Sequence, residues 1–198
     1  MNVIRINQGL STLTTVLALT VTPAAWAYDS AVNVGIGQYT FKYQDQTQGV
    51  SGKPMGWNLD YVGRFNENLG FDVRMGGAGK TSVAGLTLQP GLFLSLLFRP
   101  SISVGETVDF YGLIGFTSLA VGRTAANSTK EIIARVGGSI GLGAAYRINE
   151  HMATGVEWVS YQHNVDFGPS GNSNKNWTGV TQAKISLSSI MANFKYQF

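Results

Sequence analysis

Ile190-Met191-Ala192-Asn193-Phe194-Lys195-Tyr196-Gln197-Phe198 closes the sequence, and its alternation decides the fold. Ile190, Ala192, Phe194, Tyr196 and Phe198 occupy one parity and Met191, Asn193, Lys195 and Gln197 the other. Successive side chains of a strand point to opposite faces, so this run is a strand with one apolar and one mostly polar face. The apolar face is expected to meet lipid and the polar face to line a closed sheet.

Working back from this strand, the same rule gives seven more. Residues 31–43 lead with Val32, Val34 and Ile36 on the apolar face. In 55–65, Trp57, Leu59 and Tyr61 oppose Asn58, Asp60 and Arg64. In 69–79, Phe71, Val73 and Met75 oppose Asp72 and Arg74. Residues 86–99 place Leu88, Leu92, Leu94, Leu96 and Phe98 outward, and Pro90 calls for a bulge or a rim position, since proline has no ladder donor. Residues 107–119 group Phe110, Ile114 and Phe116. In 133–148, Ala134, Val136, Ile140, Leu142 and Tyr146 oppose Arg135, Ser139 and Arg147. In 152–163, Val156 and Trp158 oppose Glu157.

The connections alternate in length. Segments 66–68, 100–106 and 149–151 read as short turns, and 44–53, 80–85, 122–131 and 165–179 as longer polar loops. Short turns at one end and long loops at the other match a membrane barrel with its loops outside the cell. The chain is therefore expected to be all-β, an eight-stranded antiparallel up-and-down transmembrane β-barrel.

The start of the chain fixes the compartment. Arg5, an uncharged run over 10–22 and Pro23-Ala24-Ala25-Trp26-Ala27 read as an export signal. Ala25 and Ala27 give the small-x-small cut before Tyr28, so residues 1–27 form a cleaved signal and 28–198 the barrel domain. The sequence has 44% hydrophobic and 13% charged residues, 25 glycines and no cysteine. That composition excludes a disulfide scaffold and a thiolate metal site, and suits a chain that meets lipid through strands. A net charge of +3 is too balanced for a nucleic-acid partner.

Asp60, Arg64, Asp72, Arg74, Arg135, Arg147, Glu157 and Lys195 share the polar faces. Both signs on one face of a small closed barrel predict a lumenal charge network. Tyr43, Trp57, Phe65, Phe98, Tyr146, Tyr161 and Tyr196 fall near strand ends, where aromatic girdles sit at the membrane interface. Leu97 and Met191 point inward and oppose a wide pore. Gly35-x-Gly37 and Gly141-x-Gly143 lie in strands with no following helix, so they fit a curved wall better than a phosphate loop.

The terminal run 192–198, together with Tyr111-Gly112-Leu113-Ile114-Gly115 and Gly141-Leu142-Gly143-Ala144-Ala145-Tyr146-Arg147, resembles the small bacterial outer-membrane barrels of the OmpA/OmpX/Ail-like superfamily. The resemblance covers 28–198. It implies an outer-membrane location among lipids and lipopolysaccharide, and insertion by the barrel assembly machinery. Phe194, Tyr196 and Phe198 would be the assembly signal. It also implies a non-enzymatic role in envelope integrity or adhesion, with an extracellular ligand for the loops at 44–53, 122–131 and 165–179. A narrow channel for small solutes is one alternative and a lipid A-modifying hydrolase another. The hydrolase reading rests on Ser160, His163 and Asp166, but His163 is followed by Asn164-Val165, where a PagL-like deacylase has a His-x-Ser pair. No cofactor or metal site is expected.

Mass spectrometry of the protein from its membrane should give a chain beginning at Tyr28; an intact Met1 would overturn the export reading.

Overall fold

A computed structural model of the chain describes residues 29–83, 86–124, 129–168, 177 and 180–198. The export signal and its cut at Ala25, Ala27 and Tyr28 lie outside the described residues. Strands β1 (Asp29–Asp45), β2 (Gly49–Gly52), β3 (Met55–Arg64), β4 (Leu69–Ala78), β5 (Thr81–Val83), β6 (Leu86–Val104), β7 (Val108–Thr124), β8 (Glu131–Arg147), β9 (Met152–Asp166) and β10 (Ala183–Gln197) form one antiparallel sheet. β10 pairs with β1 from Ala31–Gln197 to Asp45–Ala183, which closes the sheet.

The ten segments make eight staves. β2 and β3 both pair with β1 and share one stave, broken at Lys53-Pro54. Pro54 has no N–H to donate, yet its carbonyl still accepts from the Tyr39 amide at 2.8 Å. β4 and β5 likewise share a stave against β6. The result is a closed eight-stranded antiparallel β-barrel.

Two turns at one end use the same chemistry. The Asn66 side-chain oxygen accepts from the amides of Asn68 and Leu69, both at 2.9 Å. That of Asn149 accepts from His151 at 2.9 Å and Met152 at 2.8 Å. Each Asn closes the hairpin in place of a backbone carbonyl. The third turn at this end uses Gly105 at φ 65°, a left-handed conformation costly for other residues. It is tighter than the expected 100–106 turn, because β6 continues to Val104. At the other end, the expected loop 44–53 is a tight hairpin. Asp45 Oδ1 accepts from the amides of Thr47 and Gln48 at 2.7 and 2.8 Å, and β2 occupies most of the remainder.

The outward face is apolar in the part of the barrel nearer the short turns. Ile36, Phe116 and Ile190 are 64%, 67% and 67% exposed, and Trp57, Leu59, Val136, Ile140, Leu142, Val156 and Phe194 share that surface. Phe71 points the same way but is covered by Tyr61 and Phe65, with ring centroids 5.9 and 5.3 Å away. Exposing so much aliphatic and aromatic surface to water is unfavourable, and exposing it to hydrocarbon is not.

Above this belt the pattern inverts on several staves. In β1, outward Val34 and Ile36 give way to outward Gln38, Lys42 and Gln44, while Tyr39, Phe41 and Tyr43 turn inward and are buried. In β10, outward Ile190 gives way to Lys184 outside and Ile185 and Leu187 inside. The upper lumen is thus an apolar core of soluble-protein type, containing Leu88, Phe93, Leu119, Val121, Ile133 and Phe167. This corrects two expected girdle residues: Tyr43 and Tyr161 are 2% and 0% exposed and face the lumen.

Leu88, expected outward, is fully buried. The β6–β7 register shifts between Pro90 and Phe93, so the extra residue reverses the face of everything above it. Between β8 and β9, pairing ends at Ile140–Ser160. There the Gln162 amide bridges the staves, donating to the carbonyls of Thr117 and Arg135 at 3.1 and 2.8 Å.

Gly143 gives room to a lumenal ring, since a Cβ there would lie 2.3 Å from Tyr111 Cζ. Gly143→Ala is expected to cost about 1–3 kcal/mol through overpacking. The check is the urea midpoint of the folded, fast-migrating gel band, and an unchanged midpoint would refute the close approach.

Candidate functional site

The lumen is the site the fold builds, and Arg74 lies at its centre. Arg74 comes from β4 and is 0% exposed. Inward parity places it beside Asp60 of β3, its direct ladder partner, and Asp72 two residues back on its own strand. Its Nε lies 3.0 Å from Asp60 Oδ1. One Nη donates to Asp72 Oδ2 at 2.9 Å and to Glu157 Oε2 at 2.9 Å, and the other to Glu157 Oε1 and to the Tyr161 hydroxyl. Glu157 comes from β9 across the barrel, so one guanidinium spans the lumen.

A second layer of donors reaches the carboxylates, leaving Asp72 Oδ1 without a hydrogen-bond partner among the described residues. Asp60 accepts from Asn33 Nδ2 at 2.6 Å and Asn58 Nδ2 at 2.9 Å. Glu157 accepts from the Tyr111 hydroxyl at 3.2 Å. Arg99 pairs with Asp72 at 3.3 Å and lies over the Tyr111 ring, its Cζ 3.5 Å from the centroid. Planar guanidinium on an aromatic face adds cation–π attraction in a desolvated setting.

Nearer the short turns is a separate cluster on Asp109. Arg147 Nη2 approaches Asp109 Oδ1 at 2.6 Å, Arg64 Nη2 approaches Oδ2 at 3.4 Å, and Ser103 Oγ donates at 2.6 Å. A mouth cavity of about 310 Å³ opens beside it, lined by Asp29, Arg64, Asn66, Glu67, Ser103 and Arg147. Above Arg74 a hydroxyl chain crosses three staves: Ser95 Oγ to Thr117 Oγ1 at 2.7 Å, and Thr117 Oγ1 to Ser139 Oγ at 2.6 Å.

At the loop end, Trp177 folds into the opening and is 1% exposed. It stacks on Phe167 with centroids 5.8 Å apart and meets Tyr43 edge-on at 5.8 Å.

Of the eight charged residues expected to share the lumen, Asp60, Asp72, Arg74 and Glu157 meet in one cluster, and Arg64 and Arg147 in the other. Arg135 stands apart in the upper barrel and donates to the carbonyls of Ala134 and Gly168. Lys195 is buried among the described residues with no carboxylate at ion-pair distance. Sequence reasoning missed Arg99, Asp109, Tyr111, Tyr161 and Trp177. Arg99 shares its parity with inward Leu97, and Asp109 and Tyr111 share one inward row, so a stricter count of parity signals them. Trp177, an aromatic in a stretch of Gly, Ser and Asn, was the visible sign of a plug.

Ser160, His163 and Asp166 do not assemble. The His163 ring meets the Asn164 side chain at 3.2 Å, and Asp166 Oδ1 accepts from the Gly168 amide at 2.7 Å. No hydrogen bond joins these three among the described residues. On the outer wall, Phe194, Tyr196 and Phe198 are 46%, 49% and 66% exposed, and the Phe198 amide donates to the Ser30 carbonyl at 3.1 Å.

Arg74→Met would leave three buried carboxylates without their shared cation. A loss of about 3–5 kcal/mol is expected, read as a lower urea midpoint in lipid vesicles. A wild-type midpoint would show that the cluster carries no stability.

The family model described as the outer membrane protein beta-barrel domain matches residues 11–198. No curated protein matches the chain by sequence. Among solved structures, Neisserial surface protein A is 11% identical, covers 85% of this chain and 97% of its own, and has a TM-score of 0.60. Ail, the attachment invasion locus protein of Yersinia pestis, solved with the heparin analogue sucrose octasulfate, is 14% identical, with 86% and 99% covered and a TM-score of 0.53. OprG of Pseudomonas aeruginosa is 16% identical, with 87% and 97% covered and a TM-score of 0.52. At these identities the likeness is one of fold. The family match, the closed barrel and its apolar outer belt together make this chain a member of the outer membrane protein β-barrel domain family, resident in the outer membrane.

Proposed function

We propose that this protein is a closed outer-membrane barrel whose role is surface interaction, with the basic loop end engaging polyanions. The observation that carries this is the division of charge between the two ends. Lys42, Lys53, Lys80, Arg123, Lys130, Arg135 and Lys184 lie at or near the loop end, against Asp45, Glu131 and Asp166. The turn end carries Asp29, Glu67, Glu106, Asp109 and Glu150 against Arg64, Arg99, Arg147 and Lys195. An excess of one sign on one surface raises the local concentration of oppositely charged partners and speeds their encounter.

Two features support a closed barrel over the channel reading. Arg74 and its three carboxylates fill the lumen at mid-height. Trp177, Phe167 and Tyr43 fill it again at the loop end. An eight-stranded barrel has an interior just wide enough for side chains to fill. The separation of Ser160, His163 and Asp166 supports a non-enzymatic role. Ail, solved with a heparin analogue, offers a precedent for a polysulfated ligand on this fold. Phe194, Tyr196 and Phe198, in their outward row at the end of β10, fit the part of an assembly signal for the barrel machinery.

Lys53 and Lys80 are exposed on neighbouring staves, where Gly79 lies against Pro54. Refolded protein is expected to bind immobilised heparin at low salt and to elute as salt rises. Lys53→Glu with Lys80→Glu should elute markedly earlier, and planar bilayers should show no stepwise currents. Absence of heparin retention would sink the polyanion reading, and reproducible single-channel currents would sink the closed barrel.

A further inference from the structure

The lower lumen holds a cation that no carboxylate answers. Lys195 is only 8% exposed. Among the described residues, every carboxylate of the two lumenal clusters is already engaged, while Asp29 and Glu67 line the mouth cavity. Asp109 is taken by Arg64 and Arg147, Asp72 by Arg74 and Arg99, and Asp60 and Glu157 by Arg74. Beside Lys195 on β10, Asn193 is 6% exposed, and neither its Nδ2 nor its Oδ1 has a hydrogen-bond partner among the described residues. Both residues line one small cavity of about 10 Å³, together with Asn33, Arg99, Tyr111 and Thr154.

A buried ammonium without a counter-charge is costly, and so is a buried amide without a partner. The cavity is at the size that holds one water-sized particle. Arg64 and Arg147 share Asp109 and Arg99 pairs with Asp72, so with Lys195 the two clusters hold one more cation (Arg64, Arg74, Arg99, Arg147, Lys195) than acid (Asp60, Asp72, Asp109, Glu157). The Asn193 amide donor and the Lys195 ammonium are the groups a single anion would take. We propose that this cavity is a binding site for one halide-sized inorganic anion, held by Lys195, Asn193 and Arg99. The route in is from the turn end, where the mouth cavity is lined by Arg64 and Arg147 as well as Asp29 and Glu67. Bound there, the anion neutralises the surplus charge and locks β10 to β6 through Lys195 and Arg99. The site is independent of the loop end and of any polyanion bound to it.

The test uses the mature chain refolded in zwitterionic detergent micelles. Unfolding in urea is followed by gel mobility while chloride replaces gluconate at fixed ionic strength. A saturable gain is expected: at ten times the dissociation constant, the folded-to-unfolded ratio rises about elevenfold. Lys195→Met removes the charge at nearly constant length and should abolish the gain. Crystals grown in bromide should show an anomalous peak beside Lys195. A wild-type ratio indifferent to halide overturns the site, as does an equal response in Lys195→Met, or bromide-grown crystals with no peak. Should Lys195→Met fail to fold, the wild-type titration and the bromide peak decide the matter.

Discussion

A guanidinium buried at the middle of a membrane has to be surrounded by its own counter-charges, and Arg74 sets the terms for the rest of this barrel. Desolvating it is costly, and the cost is recovered only with good geometry and full hydrogen bonding. Asp60, Asp72 and Glu157 supply the charge. Asp60 and Glu157 then need further donors, which Asn33, Asn58 and Tyr111 provide, and Asp72 takes a second guanidinium from Arg99. Glu157 reaches Arg74 from the opposite wall, so the network tests closure as well as pairing. A stave slipped by one residue turns its charged side chain into hydrocarbon. The same interaction that obstructs the lumen therefore fixes the register of β3, β4 and β9.

The barrel is two structures in series. Within the bilayer it is inside out, with aliphatic and aromatic teeth outside and ions inside. Beyond the bilayer it reverts to the ordinary arrangement, with Tyr39, Phe41, Leu119, Ile185 and Leu187 in a dry interior. The aromatic plug around Trp177 belongs to this second part and owes its stability to water, not to lipid. Each part is closed by the means its solvent allows, ion pairs below and apolar packing above. A basic outer end can thus be displayed on a rigid base.

The lipid-facing belt was legible in the sequence because strict alternation in β3, β8 and β10 needs only the pleat to be decoded. The opposing charges of Asp60, Asp72, Arg74 and Glu157 were legible for the same reason. Tyr43 and Tyr161 were misread because an aromatic near a strand end fits both a girdle and a plug, and local composition does not say which solvent surrounds it. The distinguishing sign lay in phase: Tyr39, Phe41 and Tyr43 are out of step with Val32, Val34 and Ile36. The loop at 44–53 was misread because Asp45 makes its turn with a side chain, which shortens it. Arg135 shares parity with the lumenal charges but lies too high along the barrel axis to meet them, and parity carries no height. The isolation of Lys195 is a matter of where partners are already spent, which appears only in three dimensions.

β6 solves the change of solvent differently from its neighbours. Its leucines at 86, 88, 92, 94 and 96 keep one parity throughout, so composition alone would run the same greasy edge from hydrocarbon into water. The irregularity after Pro90 resets the frame and turns Leu86 and Leu88 inward. It acts as a coupling joint between two lengths of wall that otherwise share one backbone. Residues added in pairs above it would lengthen the outer cup without disturbing any tooth in the bilayer. The height of the cup and the thickness of the membrane it crosses can therefore vary separately in this architecture.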